Sequence, residues 1–280
     1  MKLKHALVAF ASVCAAGGVT ASASAAEITL QLIDSYARSG PFGLAFDGTN
    51  IYWSQSNAQI HQMTTSGVDT GLNFAGPVWG ELAWNGSQLV QTRNNTVYFF
   101  DVGGGNQTTQ TITAAPYSGI LSLNDGLDWD NGELWASPDV GNVYRLSGDL
   151  STFVGASPFL GGVGGYSGVE RIQATNGTDY IVVVNDASSP RKLCVHTLGG
   201  VEIGCQDFQN SRYEGLAFDG RYLWAADYFG NKIDKYDILA DGGSIIDPGD
   251  PSDVPLPAAL PLMLFGMAGL GAAARRKKKA

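Results

Sequence analysis

Four acidic and four aromatic residues recur at comparable places along this sequence, and together they could bind a metal ion or a polar ligand. The acids are Glu81, Asp125, Glu170 and Glu214, and the aromatic residues are Phe42, Trp79, Tyr166 and Tyr213. Carboxylates held close together repel one another and raise each other's pKa unless a cation or another partner is present. If the repeats superpose, these side chains share one face, and Ca²⁺ is the expected ion.

A purely structural role is the alternative for these acids. Carboxylates at strand ends commonly accept hydrogen bonds from backbone N–H groups. Arg171 and Arg212 are also close to two of the acids in sequence, where they could form ion pairs. The sequence leaves both interpretations open.

The segment that would position this chemistry is residues 214–238, EGLAFDGRYLWAADYFGNKIDKYDI. It predicts three short strands separated by an Asp-Gly turn and a polar loop. Asp-Gly and Asn-Gly favour hairpin turns because glycine and asparagine tolerate positive φ. The same unit recurs around Asp47-Gly48, Asn85-Gly86, Asn131-Gly132, Asn176-Gly177 and Asp219-Gly220.

The spacing of these five turns predicts the fold class. Their glycines are 38 to 46 residues apart, close to the length of one four-stranded propeller blade. We therefore predict an all-β, five-bladed β-propeller over residues 27–240, with a six-bladed propeller as the alternative because the fourth repeat is weak. The last repeat supplies only three strands, so the strand near residues 28–35 should complete the last blade and remove the open sheet edges.

Recurrent aromatic residues are expected to fill the core between blades rather than to bind sugars. Large flat rings pack well between adjacent sheets. These aromatic residues form two sets. The set before the turns contains Phe46, Trp84, Trp129 and Phe218, and the set after the turns contains Trp53, Trp135 and Trp224.

Both ends of the chain have the pattern of targeting segments. Residues 1–26 combine two lysines, an apolar run and a small-residue stretch, which predicts a secretory signal peptide. Residues 241–253 form an acidic linker, and residues 254–280 contain an apolar run of 17 residues followed by five basic residues. Such a run is near the lower limit for spanning a bilayer, and the basic residues should stay in the cytoplasm.

The C-terminal segment resembles the PEP-CTERM class of bacterial sorting tails in its VPLPA variant. The matching motif is Val254, Pro255, Leu256, Pro257 and Ala258, followed by the apolar run and the basic cluster. The resemblance implies processing by an exosortase-type protease and an association with exopolysaccharide. An ordinary membrane anchor is the alternative. Either way, the protein is expected to leave the cytoplasm for the periplasm, the cell surface or the medium, with transient membrane anchoring.

The charge of the propeller disfavours nucleic acid as a partner. Without the two ends, 10 Lys and Arg residues face 26 Asp and Glu residues, a net charge of about −16. A body this acidic repels phosphate backbones. Divalent cations and neutral glycans are the more compatible partners.

Two cysteines are expected to form a disulfide after export. Cys194 and Cys205 flank a Gly199-Gly200 pair, and a two-residue turn there would pair Leu198 with Val201 and place the cysteines opposite each other. Directly opposed residues in an antiparallel pair have the Cα separation that a disulfide accepts.

The repeat resembles the NHL and SMP-30/gluconolactonase-like propellers, most clearly in residues 223–237, LWAADYFGNKIDKYD. Those groups include metal-dependent lactonases with an acidic site at the channel mouth and also binding modules without catalysis. The resemblance implies Glu81 or Glu214 as the acidic ligand, with Asn185 and Asp227 as further candidates. The families usually have six blades, and their full ligand set is not matched.

Histidine is scarce, which argues against a Ser-His-Asp or Cys-His mechanism. After signal removal only His61 and His196 remain, and both are expected on outer-strand surfaces. We therefore expect a non-catalytic protein that binds glycan or another matrix ligand at the channel mouth, with Ca²⁺. The alternative is a metal-dependent lactonase or a polysaccharide-degrading enzyme on the same site; a scaffold for protein partners is a third possibility.

Overall fold

The computed structural model describes residues 28–114, 124–138, 142–161, 165–186, 188–240 and 243–244. Every regular element in these residues is a β-strand, and the strands form five sheets. The predicted signal peptide, most of the acidic linker and the sorting tail lie outside the described residues. Within the described part of the chain, no helix is long and apolar enough to cross a bilayer.

Four blades take their strands consecutively from the chain. Blade 1 contains β2 (Pro41–Phe46), β3 (Asn50–Gln55), β4 (Gln59–Thr64) and β5 (Asp69–Ala75), after the N-terminal strand β1 (Ile28–Ala37). Blade 2 contains β6 (Ala83–Trp84), β7 (Leu89–Arg93), β8 (Thr96–Phe100) and β9 (Thr108–Thr111). Blade 3 contains β10 (Asn124–Asp130), β11 (Glu133–Pro138), β12 (Asn142–Ser147) and β13 (Leu160–Gly161). Blade 4 contains β14 (Tyr166–Gln173), β15 (Asp179–Asn185), β16 (Arg191–Thr197) and β17 (Glu202–Phe208).

The fifth blade joins the two ends of the propeller, as the sequence predicts. It contains β18 (Tyr213–Phe218), β19 (Leu223–Asp227) and β20 (Lys232–Ala240), and β1 is its outermost full strand. The β1–β20 pairing is antiparallel and runs from Ile28 opposite Ala240 to Ala37 opposite Lys232, with one bulge between Leu32 and Asp34. A two-residue strand, β21 (Gly243–Ser244), pairs with the end of β20. The five-bladed fold closed by the N-terminal strand is confirmed.

The turn after the innermost strand is stabilised by an Asp or Asn side chain in blades 1, 2, 4 and 5. Asp47 Oδ1 accepts hydrogen bonds from the backbone N–H groups of Thr49 at 2.8 Å and Asn50 at 2.7 Å. In blade 5, Asp219 does the same for Arg221 and Tyr222. The side-chain oxygen replaces partners that the backbone loses at a tight turn, which explains the preference for Asp or Asn there. In blade 3, Asn131 and Gly132 instead adopt φ values of 53° and 74°, a conformation that Asn and Gly tolerate best.

The core lies in five layers, one between each pair of adjacent blades. Successive residues of a strand point to opposite faces of its sheet. Thus Leu44 packs in the cluster shared with blade 5, whereas Ala45 packs in the cluster shared with blade 2. Because a neighbouring blade covers each face of the sheet, the inner strands are apolar on both faces.

The prediction that the aromatic residues are core holds for one of the two sets. Trp53, Trp135 and Trp224 are buried, as expected. The residues before the turns, Phe46, Trp84, Trp129 and Phe218, are only half-buried. They lie at the last paired position of their strands, or one position before it for Trp129, where the blades no longer enclose them completely.

The disulfide is confirmed, although its hairpin differs in detail from the prediction. Cys194 pairs with Cys205, and their Cα atoms are 4.0 Å apart. The predicted pairing of Leu198 with Val201 is wrong, because Thr197 N–H donates to Val201 O and Gly200 adopts a φ of 78° in a longer loop. A bulge after Val195 restores the register at the cysteines.

His196, predicted to be at the surface, lies on β16, the strand that also contains Cys194, and is buried, with 5% of its surface exposed. The prediction fails because the third strand of a blade still has both faces covered by neighbouring blades.

Candidate functional site

The innermost strands of all five blades surround the central channel, and a ring of glycines lets them approach closely. The ring contains Gly43, Gly126, Gly168 and Gly215. A Cβ atom at Gly43, Gly168 or Gly215 would lie 2.5 to 2.6 Å from the backbone of the next inner strand. The strand register places Glu81 at the corresponding position of blade 2. Glu81 therefore has a side chain where the other four repeats have none.

Glu81 is a buried acid in an acidic neighbourhood. It is 1% exposed, and neither carboxylate oxygen makes a well-formed hydrogen bond to the described part of the chain. Burial raises its pKa well above the usual value, and the charges of Glu214 and Asp125 raise it further, against a small opposing effect of the Leu82 N–H. The side chain is therefore held in a state that favours a proton or a cation.

Glu214 lies beside Glu81 and is the member of the group with a basic partner. Its Oε1 is 2.5 Å from Nε of Arg212, which also donates to Asp186 Oδ2 at 3.1 Å. Burial raises the pKa of Glu214 to about 8 because it outweighs the lowering effect of Arg212, and the charges of Asp186 and Asp125 add to the increase. The buried Ser167 hydroxyl partly offsets this increase.

Asp125 completes this group, which we call the acidic mouth and define as Glu81, Asp125 and Glu214. Asp125 is 7% exposed and contributes to the raised pKa of both glutamates. Asp125 and Glu214 are the second residues of β10 and β18, and Glu81 lies two residues before β6, so all three occupy the same end of the channel. Three of the four predicted metal ligands are thus close enough to influence one another's charge, but their ligand atoms do not all lie within 4.8 Å of one another, so a shared ion would draw the side chains closer together.

Glu170, the fourth predicted ligand, lies further along the channel. Its raised pKa is caused by burial first and then by Asp128, not by the acidic mouth. Its carboxylate accepts a hydrogen bond from the Phe218 backbone N–H, which is the structural role that the sequence left open. When the repeats are superposed, Ser167 rather than Glu170 occupies the position that Asp125 and Glu214 hold in their blades, and it interacts with Glu214. Glu170 lies three residues further along the strand.

Of the four predicted aromatic ligands, two lie beside the acidic mouth and two are packed within the blades. Phe42 and Trp79 contact each other edge to face, with ring centroids 5.8 Å apart, and Tyr228 contacts Phe42 at 6.0 Å. These three rings come from segments adjoining the acidic mouth. Sequence reasoning missed Tyr228, although it lies immediately after the Asp227 end of the repeat motif.

The other two predicted aromatic ligands are built into the blades. Tyr213 is 2% exposed, and its hydroxyl donates to Asp234 Oδ2 at 2.7 Å. Tyr166 is half-buried and packs against the core between blades 3 and 4. Their positions are explained by packing.

The side chains of Asp227 and Asn185 support loops. Asp227 Oδ1 accepts from the N–H groups of Arg212 and Gly230, and Asn185 Oδ1 accepts from Ser188 N–H. In the described ranges, the His, Cys, Asp and Glu group whose ligand atoms all lie within 4.8 Å of one another is Cys194, Glu202 and Cys205. Both sulfurs there are used in the disulfide, so that group is not a metal site.

A cavity that the sequence did not predict occupies the other end of the channel. It has a volume of about 330 Å³ and is lined by residues from all five blades. The half-buried aromatic set and the carboxylates Asp128 and Glu170 are in its wall. The sequence did contain a sign of this cavity, since an aromatic residue recurs at one position in four repeats. Burial in the core was the simpler explanation for that recurrence.

The fold and the C-terminal sorting motif together define the class of this protein as an exported β-propeller. The model of the PEP-CTERM protein-sorting motif matches residues 253–278. The tail thus indicates export with transient membrane anchoring, and such motifs are processed by exosortases.

Among solved structures, the chain is similar to the glutaminyl cyclase of Myxococcus xanthus, with a TM-score of 0.57 and 14% identity over 78% of this chain and 99% of that one. The β-propeller domain of Myceliophteria thermophila Cps50 (Swd1) aligns with a TM-score of 0.46 and 7% identity over 74% of this chain and 99% of that one. At this identity the similarity to the cyclase shows the fold alone. No curated protein sequence matches the chain.

Proposed function

We propose that the exported propeller is a binding protein that takes an extracellular polysaccharide or another matrix ligand at the acidic mouth, with Ca²⁺ held by Glu81, Asp125 and Glu214. The observation that carries this proposal is the side chain of Glu81. It replaces a ring glycine, it is 1% exposed, and both of its carboxylate oxygens lack a well-formed hydrogen bond within the described residues.

A buried carboxylate that lacks well-formed hydrogen bonds is costly, and a bound ion is one of the established explanations for such a group. Ca²⁺ prefers carboxylate and carbonyl oxygens and tolerates irregular geometry. The pKa of Glu81 is raised first by burial and then by the charges of Glu214 and Asp125, and a divalent cation here would neutralise that mutual repulsion. It would also leave coordination positions for ligand hydroxyl groups.

The aromatic group beside the mouth supports a glycan as the ligand. Phe42, Trp79 and Tyr228 form a continuous set of edge-to-face contacts. Aromatic rings bind the apolar faces of sugars, while hydroxyl groups bind carboxylates or the cation. Periplasmic, cell-surface or extracellular placement, and association with exopolysaccharide, belong to the same proposal.

The test is a comparison of Ca²⁺ and glycan binding by the full-length protein and by Glu81→Gln. Isothermal titration with CaCl₂ should show binding that the variant weakens at least tenfold. A glycan array should show binding that EDTA abolishes. Glu202→Gln is the matched control, because the Glu202 side chain is 60% exposed. Unchanged Ca²⁺ binding in folded Glu81→Gln would refute the metal site, and EDTA-resistant glycan binding would refute the role of the ion.

A catalytic function of the same site is the second candidate, as a metal-dependent lactonase or a polysaccharide-degrading enzyme. It is favoured by Glu214, whose pKa of about 8 would keep the acid protonated at neutral pH. A protonated carboxyl in a low-dielectric site can serve as a general acid in hydrolysis. Turnover of a lactone or polysaccharide that Glu214→Gln abolishes, with the fold retained, would support catalysis, and binding without product would support the first candidate.

A further inference from the structure

The cavity at the far end of the channel lies apart from the acidic mouth. Its wall begins at Leu44 and Leu82, after the ring of glycines, and continues to the turns at Asn85-Gly86 and Asn131-Gly132. None of the three acids of the mouth contributes to it. A ligand bound here would therefore be recognised by different side chains.

The aromatic residues of this cavity occupy one equivalent position in four blades. Phe46 pairs with Ile51, and the other three pair in the same way just before their turns; the full set is Phe46, Trp84, Trp129 and Phe218. In blade 4 the position is held by Arg171, which is ion-paired with Asp130 and, at 2.9 Å, with Asp179. Four aromatic residues around one axis are the chemistry of a cage for a cation.

Two carboxylates stand beside the aromatic residues, one position earlier in blades 3 and 4. Asp128 is 8% exposed and accepts the Arg171 backbone N–H at 2.9 Å. Glu170 is the corresponding residue of blade 4, and the corresponding residues of blades 1, 2 and 5 are alanines. Burial raises the pKa of Asp128 to about 7, and the charge of Asp128 adds to the raised pKa of Glu170. The repulsion between these acids favours a positively charged occupant.

We propose that the far-end cavity binds the ammonium group of a small organic cation, with Phe46, Trp84, Trp129 and Phe218 as the aromatic cage and Asp128 and Glu170 as counter-charges. Its volume of about 330 Å³ is at the small end of ligand pockets, roughly 300 to 1,000 Å³. A neutral sugar would leave Asp128 and Glu170 with only the Arg171 guanidinium as a counter-charge, and Arg171 is already paired with Asp130 and Asp179. An anion would be repelled by the two acids. A cation satisfies both the rings and the acids.

Choline is a suitable probe, because 3,3-dimethyl-1-butanol has the same shape without the charge. In isothermal titration with the full-length protein, choline chloride should bind at least tenfold more tightly than the neutral alcohol. Glu170→Gln should weaken choline binding about tenfold, because it removes the charge and keeps the shape. Glu202→Gln, a charge-neutralising change on an exposed outer strand, should leave the affinity unchanged.

Saturation-transfer NMR locates the probe independently of any variant. Irradiation of the indole protons should reduce the choline methyl signal, and Trp84→Leu should diminish that effect. The proposal would be overturned by equal binding of choline and the neutral alcohol, or by binding of glucose in place of choline. It would also be overturned by unchanged choline affinity in folded Glu170→Gln, or by the absence of transfer from indole protons. Because Glu81→Gln tests the other end of the channel, failure of either site is distinguishable from failure of the other.

Discussion

Arg212 Nε lies 2.5 Å from Oε1 of Glu214, yet the pKa of this glutamate is raised to about 8. An arginine at this distance normally lowers the pKa of a carboxyl. Here burial and the acidic neighbours of Glu214 outweigh it. The arginine also serves Asp186, so its charge is shared between two acids.

Arg212→Gln should therefore raise the pKa of Glu214 further, by about one pH unit, since an opposite charge near a carboxyl lowers its pKa by about one to three. NMR titration of ¹³C-labelled glutamate side chains would measure the change. Arg145→Gln is a suitable control, because Arg145 pairs with Glu133 outside the channel. An unchanged titration of Glu214 would show that the ion pair does not act on this carboxyl.

The stability of the protein should decrease as pH rises from about 4.5 to 8 in the absence of a bound cation. Glu214 has a pKa of about 8 and Asp128 a pKa of about 7 in the folded state, above the ordinary pKa values of 4.5 and 3.8 for these side chains. Between the unfolded and folded pKa values the native state binds more protons, so raising the pH favours unfolding, by up to about 1.4 kcal/mol per pH unit for each group.

Urea unfolding at pH 5, 6, 7 and 8 in EDTA would measure this dependence. Glu214→Gln should flatten the curve, whereas Glu202→Gln should not. A free energy of unfolding that increases from pH 5 to 8 would contradict the assignment of these acids as buried groups with raised pKa. If Ca²⁺ binds at the mouth, adding it should restore stability mainly at the higher pH.

Closure of the propeller by β1 predicts unequal effects for two nearby leucines. Leu30 is 4% exposed and packs in the core between blades 4 and 5, whereas Leu32, on the same strand, is 51% exposed. Leu30→Ala should cost about 2 to 5 kcal/mol of unfolding free energy, and Leu32→Ala less than about 0.5 kcal/mol. Denaturant unfolding of both variants measures the difference. Similar losses at the two positions would mean that β1 does not close the last blade.

The ring of glycines predicts that an added methyl group is not tolerated there. A Cβ at Gly215 would lie 2.5 Å from Phe42 O and 2.6 Å from Leu44 N, both of which are backbone atoms. Gly215→Ala should therefore destabilise the fold by about 1 to 3 kcal/mol, the usual cost of overpacking. Gly105→Ala is the matched control, since nothing lies within 4 Å of a Cβ at that position. Thermal unfolding of both would test the close approach of the inner strands, and equal melting temperatures would refute it.

Much of the architecture could be predicted from the sequence because it depends on local chemistry. Each Asp-Gly or Asn-Gly pair specifies its own turn, and the interval between turns specifies a blade. The missing strand of the last repeat was enough to identify β1 as its partner. The disulfide register was also local, and the bulge after Val195 changed only the turn itself.

Which residues belong to the acidic mouth and which to the far-end cavity depended on the tertiary structure. Membership is set by how far along each inner strand a residue lies. A shift of three residues along β14 separates Ser167, beside Glu214, from Glu170, which meets Asp128. Glu170 and Glu214, which the sequence analysis placed in one set, thus belong to opposite ends of the channel.

The sequence by itself determined the repeat, the closure, the disulfide partners and the C-terminal sorting motif. The turn pairs, the cysteine spacing and the tail motif are encoded locally, and the closure follows from the strand that the last repeat lacks. Only the tertiary structure decided that Glu81 replaces a ring glycine and that half-buried aromatic residues line a cavity. Burial depends on what other blades place against a residue, and residues far apart in the chain supply those contacts.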